Sequence, residues 1–337
     1  SDSGIDRLDL YKWPRYRAVW QNMARPLLPN LDYPLLTDNR LPCHLSAMHS
    51  DILARNYPSL NHQLLQRDIA KVPRCYTGRI AQFWYGGNLD SSAAFYRTPA
   101  RLPAQPPKFV DDLGPHLNIG TLRTGERGNT GTTILYGADH KGHHHRDNLN
   151  LYYWKEGREL LTDLGYLWDR PDKKMTVRTI AHNTVIVNGE DQRREGRGGN
   201  LLHFDAGSRV KWLQVSSEAY EVADEYTRLC AIIDHGNSGS YLLDSFLVAG
   251  GEQHEYLFHG PVREGVVHNL QLQSSSESWQ DLEDISSRHA SQPWSVSFEL
   301  GRHHQLSVYS LPDGDENTLI GNGWGERGTG SRDNIMT

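Results

Sequence analysis

The stretch Asp139-His140-Lys141-Gly142-His143-His144-His145-Arg146-Asp147-Asn148-Leu149-Asn150-Leu151 sets three adjacent histidines directly ahead of an apolar segment that runs to Trp154. That segment alternates and is rich in leucine and aromatics, so it reads as a β-strand. His143 and His145 are two residues apart, and on a strand they would face the same side. Neutral imidazole is the commonest protein ligand for zinc-like metals. Two such ligands need a third group from elsewhere in the chain. Asp163 closes the next apolar segment, Glu159-Leu160-Leu161-Thr162-Asp163-Leu164-Gly165, and His182 precedes a further strand in Arg178-Thr179-Ile180-Ala181-His182-Asn183-Thr184. Consecutive antiparallel strands tend to lie side by side, so these groups are expected to converge. Each alone has a plainer reading: a solvated histidine run, a turn-forming aspartate, a structural histidine. Their order along the chain favours a joint site.

Outward from this stretch the period of two continues. Candidate strands lie at 116–122, 132–136, 149–154, 184–187, 241–248, 254–259 and 294–300, separated by Gly, Asn and Asp turns. Many short strands with little helix between them indicate an antiparallel β-sandwich. The Gly-rich end, 321–330, reads as loop. Toward the N-terminus the pattern changes. Residues 10–72 read as short helices: Val19, Met23 and Leu27 share a spacing of four, Leu45, Met48 and Ile52 repeat at three and four, and Leu60 and Leu64 follow, with Gln63 and Arg67 on adjoining faces. Pro26, Pro29, Pro34 and Pro58 interrupt them. Pro99, Pro103, Pro106 and Pro107 mark an extended linker or covering loop.

Composition narrows the function. The 337 residues carry a net charge of −6, which argues against nucleic acid as the main partner. An anionic polymer would need a local basic patch, for which Arg146, Arg178, Arg193, Arg194 and Arg197 are candidates. No apolar run approaches the roughly 20 residues that span a bilayer. The first residues lack the basic and apolar regions of a signal peptide. Cys43, Cys75 and Cys230 form no CxxC pair, so neither a thiolate zinc site nor a disulfide framework is indicated, although one bridge has the residues it needs. A cupin is a second metal fold to weigh. Gly137, His143 and His145 fit its opening, but Leu149 and Asn150 stand where its glutamate is wanted.

The run from His143 to Leu151 resembles the His-x-His-x-Asp-x-Leu segment of heparinase II/III-like polysaccharide lyases. The resemblance continues through Gly157 to Tyr166 and through Arg178 to Gly189. It implies that residues 1–75 are the last helices of an (α/α) toroid and that 76–337 form the β-sandwich. It implies a catalytic role for His143, metal ligation by His145, Asp163 and His182, and a bound Zn2+ that is mainly structural. His144 stands where the family commonly has a small residue. The family's toroid tyrosine has no clear counterpart; Tyr11 and Tyr16 are the only early tyrosines in place. The function implied is β-elimination on an anionic uronate polysaccharide, with His143 as base or carboxylate neutraliser and Tyr166 as proton donor or sugar contact. Arg146 and Arg178 would bind substrate. That substrate class in turn implies a periplasmic or secreted protein. The alternative is a non-catalytic carbohydrate-binding or scaffold sandwich with a structural metal. Trp84, Tyr85, Trp154 and Trp168 offer sugar-stacking surfaces in either case, with core packing as the default for each. The sequence does not specify the oligomeric state.

Overall fold

The computed structural model describes residues 10–30, 32–38, 57 and, with short interruptions, 109–336. The expected helices at 45–67 and the proline-rich linker lie outside these residues, as do Cys43, Cys75, Trp84, Tyr85 and Trp168. The chain divides into two compact units, Ser1–Tyr33 with Pro42–Phe109, and Pro34–Leu41 with Val110–Thr337.

In the first unit one helix is described, α1 (Pro14–Ala24), with Pro14 in its first turn, where a missing N–H costs nothing. It stops before Pro26, so Leu27 lies beyond it and does not continue a Val19–Met23 stripe. Val19 is exposed and Trp20 is buried. Tyr11 packs edge-on against Tyr16 and Tyr57, and Tyr16 against Trp20, so aromatic contacts organise this segment.

The described part of the second unit is mainly antiparallel β, in short strands joined by turns. Strands β1 (Asp112–Gly114), β2 (Ile119–Thr124), β3 (Thr130–Leu135), β4 (Asn150–Lys155) and β5 (Arg158–Leu161) form a five-stranded sheet in chain order. A one-turn helix, α2 (Lys173–Thr176), and a 3-10 turn at Thr179–Ala181 lead into β6 (Val185–Val187). Strands β7 (Gly199–Ala206), β8 (Val210–Ser217), β9 (Glu225–Asp234) and β10 (Ser240–Ala249) make a four-stranded meander. The rest are β11 (His254–His259), β12 (Val266–His268), β13 (Gln273–Ser274), β14 (Glu283–Ala290), β15 (Trp294–Glu299), β16 (Gln305–Ser310), β17 (Glu316–Trp324) and β18 (Ser331–Met336). They form a sheet in the order β13-β14-β17-β18-β11-β6 and a three-stranded sheet β12-β15-β16.

All seven expected strands form, within a few residues at their ends. The Gly-rich end departs from expectation, because β17 runs through Gly321 and Gly323 to Trp324 and pairs with β18. Strands β7 to β9, among others, lie outside the expected segments. Their sequences mix charge and apolar residues, and burial of one face came from pairing in the meander.

One core joins the sheets, with Leu122, Ile134, Leu151, Leu213, Cys230 and Phe298 fully buried in it. Close approach is built into the chain. A Cβ at Gly120 would stand 2.6 Å from Leu213, and one at Gly199 would stand 1.4 Å from the Tyr136 carbonyl oxygen. Trp154, a candidate sugar platform, is 3% exposed and belongs to the interior. Cys230 is a free, buried thiol. Among the described residues no helix is long and apolar enough to cross a membrane.

Candidate metal centre and its neighbouring histidine

Four side chains converge just before β4: His145, Asp147, Asp163 and His182, each buried, with one ligand atom apiece within 4.8 Å of the others. His145 and Asp147 come from the segment that enters β4. Asp163 follows β5, which pairs with β4. The neighbouring-strand argument therefore holds for Asp163. His182 arrives differently. It ends the 3-10 turn ahead of β6, and β6 pairs with β11 in another sheet. Asn183 bridges the gap: Leu151 N–H donates to its carbonyl, and its Nδ2 donates to the Leu151 carbonyl. The buried Arg228 donates to the carbonyls of both Leu149 and Asn183, stitching the two approaches together.

The histidine run is not a strand. His143 has φ 51° and Leu149 φ 61°, both left-handed, and regular pairing begins only at Asn150. Strand alternation thus does not relate His143 to His145. The two rings are related by Asp38, a residue that the sequence reading did not single out. Its Oδ1 lies 3.0 Å from His145 Nε2 and its Oδ2 2.8 Å from His143 Nδ1. These hydrogen bonds, that from His145 foremost, hold the Asp38 carboxyl below its ordinary pKa against the opposing effect of burial.

The fit of this cluster to a cation follows from where its protons must sit. His145 Nδ1 faces His182 Nε2 at 3.2 Å. The far nitrogen of each ring meets an acceptor: Asp38 Oδ1 for His145, and the Arg178 carbonyl, 2.7 Å from Nδ1, for His182. In a neutral ring the proton belongs on that far nitrogen, so two lone pairs face each other across the cluster. His182 Nε2 also stands 3.2 Å from Asp163 Oδ2. Neither carboxylate oxygen of Asp147 has a hydrogen-bond partner, and its nearest cation is Arg197 Nη1 at 3.8 Å. Buried polar atoms left in this state call for an ion or a proton. The spacing suits an ion, since the edge of a tetrahedron with bonds of about 2.0 Å is about 3.3 Å. The group can hold a divalent metal.

Outer contacts fix the ligand set. Asn150 Nδ2 donates to Asp163 Oδ2 at 2.9 Å, and Gly165 N–H donates to Oδ1 at 2.7 Å. Burial pushes the Asp163 carboxyl up, but His182, with His145 and the Gly165 N–H, outweighs it and holds it low. For His182, burial acts to lower the pKa and Asp163 more than reverses it. The Asn150 backbone opens β4 opposite Leu135, and its side chain orients Asp163 and accepts the Asn183 N–H.

The remaining sequence candidates divide by exposure. The His143 side chain is 92% exposed. His144 reaches the Arg194 carbonyl at 3.1 Å. Tyr166 is partly buried just past Gly165. Arg146 and Arg178 both engage Asp191 Oδ2, at 3.5 and 3.0 Å. Arg197 does not belong to a surface patch. It is fully buried and donates to the His145 carbonyl at 2.7 Å, so it holds the ligand loop from beneath.

Residues 114–315 match the family of heparinase II/III-like C-terminal regions. The chain belongs to the heparinase II/III-like family. No curated protein matches it by sequence. Among solved structures, a heparinase III gene product superposes at TM-score 0.50 with 12% identity, over 93% of this chain and 44% of that one. A second heparinase III gives TM-score 0.50 at 13% identity, over 96% and 47%. A heparan sulfate lyase HepC mutant from Pedobacter heparinus gives 0.49 at 11% identity, over 96% and 46%. At these identities the likeness to the two heparinase III structures shows the fold alone, an antiparallel β-sandwich. The chain spans less than half the length of the heparinase III structures it matches. The heparinase II/III-like match includes the whole segment from His143 to His182.

Asp147 was legible and overlooked. It stands two residues beyond His145, the same spacing that drew attention to His143. Asp38 had no local signal, lying 107 residues from the ring it bonds.

Proposed function

We propose that this chain is part of a polysaccharide lyase that cleaves a uronate polymer by β-elimination. The observation that supports this most is the heparinase II/III-like match, which spans the segment carrying the exposed His143. In the proposed reaction His143 Nε2 takes the C5 proton of a uronate residue. The C5–H electron pair becomes the C4–C5 double bond as the C4–O4 bond breaks, and O4 leaves with a proton from an acid. Tyr166 is our candidate for that acid. Neutralising the uronate carboxylate stabilises the charge that develops as C5 loses its proton. Arg146 and Arg178 share one carboxylate, Asp191, which leaves a net positive charge to attract an anionic chain.

The ion we assign is Zn2+, held by His145, Asp147, Asp163 and His182; it would neutralise two buried carboxylates and pin the segment that carries His143. Burial of every ligand supports a structural role. Residues 1–75 are, in this reading, the end of the toroid and 76–337 the sandwich. A uronate polymer as substrate favours, on this reading, a periplasmic or secreted protein.

The test is an ultraviolet assay on a panel of uronate polymers, since only elimination makes the C4–C5 chromophore. Product formed by the parent chain and lost in His143→Ala supports the lyase. The second reading, a binding or scaffold sandwich, is favoured by the buried ligand set. It predicts retention on immobilised polymer without product. Neither product nor retention would sink both.

A further inference from the structure

We propose that Asp38 is a positioning residue that sets the tautomers of two histidines at once, one ring directed at the ion site and the other at solvent. The inference rests on the reading above in giving His143 a proton-transfer role. Its geometry stands without that role.

A carboxylate only accepts hydrogen bonds, so each nitrogen facing Asp38 carries a proton. Oδ2 therefore fixes the Nδ1–H form of His143, and Oδ1 the Nε2–H form of His145. The lone pairs then fall on opposite nitrogens in the two rings. In His145 the lone pair is on Nδ1, which faces His182 and the ligand cluster. In His143 it is on Nε2, on a side chain 92% exposed and free to meet a polymer. A carboxylate behind an imidazole is the arrangement that keeps a catalytic histidine in its basic tautomer. Here the same carboxylate also serves as the outer partner of a metal-ligating histidine.

The chain is shaped to deliver it. Asp38 lies in Pro34–Leu41, which clusters with the sandwich unit although it precedes β1, the first strand among the described residues, by more than seventy residues. Leu35 and Leu36 are buried and anchor the segment. Thr37 has φ 59°, a left-handed turn that ends on Asp38, and His143 is itself left-handed at φ 51°. Two locally unfavourable conformations meet at one hydrogen-bonded pair, and such positions persist where surrounding contacts over-determine them.

The test uses the full chain loaded with zinc and labelled with 15N in its imidazoles, read by NMR at a pH where His143 is neutral. The parent is expected to show His143 as the Nδ1–H tautomer. Asp38→Ala should move it to a mixture dominated by Nε2–H, and Asp38→Glu should restore the parent signature in part. Where product forms, kcat for Asp38→Ala should fall about 100-fold with KM nearly unchanged, since Asp38 acts through His143 and not on the polymer. An unchanged His143 tautomer in Asp38→Ala overturns the proposal whatever the activity. A tautomer shift in a parent chain that makes no product leaves Asp38 as assigned and counts against the lyase.

Discussion

Asp147→Asn is the most informative single change at the ion site. The Asp147 carboxylate is fully buried and its oxygens have no hydrogen bond; it acts electrostatically on the His182 ring, and its ion-pair partner among the described residues is Arg197 at 3.8 Å. At an effective dielectric of about 20 that separation is worth about 4 kcal/mol. Removing two ions from water costs several kcal/mol each, so the pair alone does not recover its desolvation. A second positive charge closes the gap. If Asp147 is a ligand, zinc at about 100 times its dissociation constant stabilises the parent by about 2.7 kcal/mol. For a domain of roughly this size that is a rise in Tm of about 5–10 °C. Losing one anionic ligand should weaken binding at least about 100-fold, as even outer-shell losses cost about 10–100-fold. The same zinc concentration then stabilises Asp147→Asn by only about 0.4 kcal/mol, a shift of about 1–2 °C. Differential scanning fluorimetry with and without zinc, after chelation, measures both. An equal zinc-induced shift in parent and variant would refute ligation by Asp147. A variant that is less stable without metal but shifts normally would show Asp147 to be only Arg197's partner.

Arg228 is fully buried and bonds Asp244 through two nitrogens, with Tyr256 and Cys230 on the same carboxylate. Asp244→Asn leaves that guanidinium without a counter-charge, and denaturant melts should show a loss of about 3–5 kcal/mol. Burial raises the Asp244 pKa but Arg228 outweighs it, so the folded value is depressed. The pair's contribution is then complete above the ordinary carboxylate value of about 3.9 and is lost as pH falls below it. Parent stability should drop through that window, and the Asn variant's should drop less. Gly199→Ala places a Cβ 1.4 Å from the Tyr136 carbonyl and should cost about 1–3 kcal/mol as β7 shifts; a neutral melt would show that the strand moves freely. Phe298→Ala empties a fully buried ring position between sheets and should cost about 3–5 kcal/mol, measured the same way.

The sequence by itself determined the class of fold. Period-two segments rich in aromatic and β-branched residues commit the chain to strands locally, because alternation with burial on one face is satisfied by pairing and by little else. It also named His145, Asp163 and His182, since each is placed by a motif within its own segment. It could not fix how they meet. His182 reaches the cluster from a different sheet, through Asn183 and Arg228, and that contact depends on how sheets stack. Asp147 was readable but lacked a reason to be chosen, and its unsatisfied burial supplied one. Arg197 looked like surface charge until packing put it beneath the ligand loop. Asp38 belongs wholly to the tertiary structure. A hydrogen bond across more than a hundred residues leaves no periodicity and no spacing in the sequence, because the chain between its ends is set by other contacts.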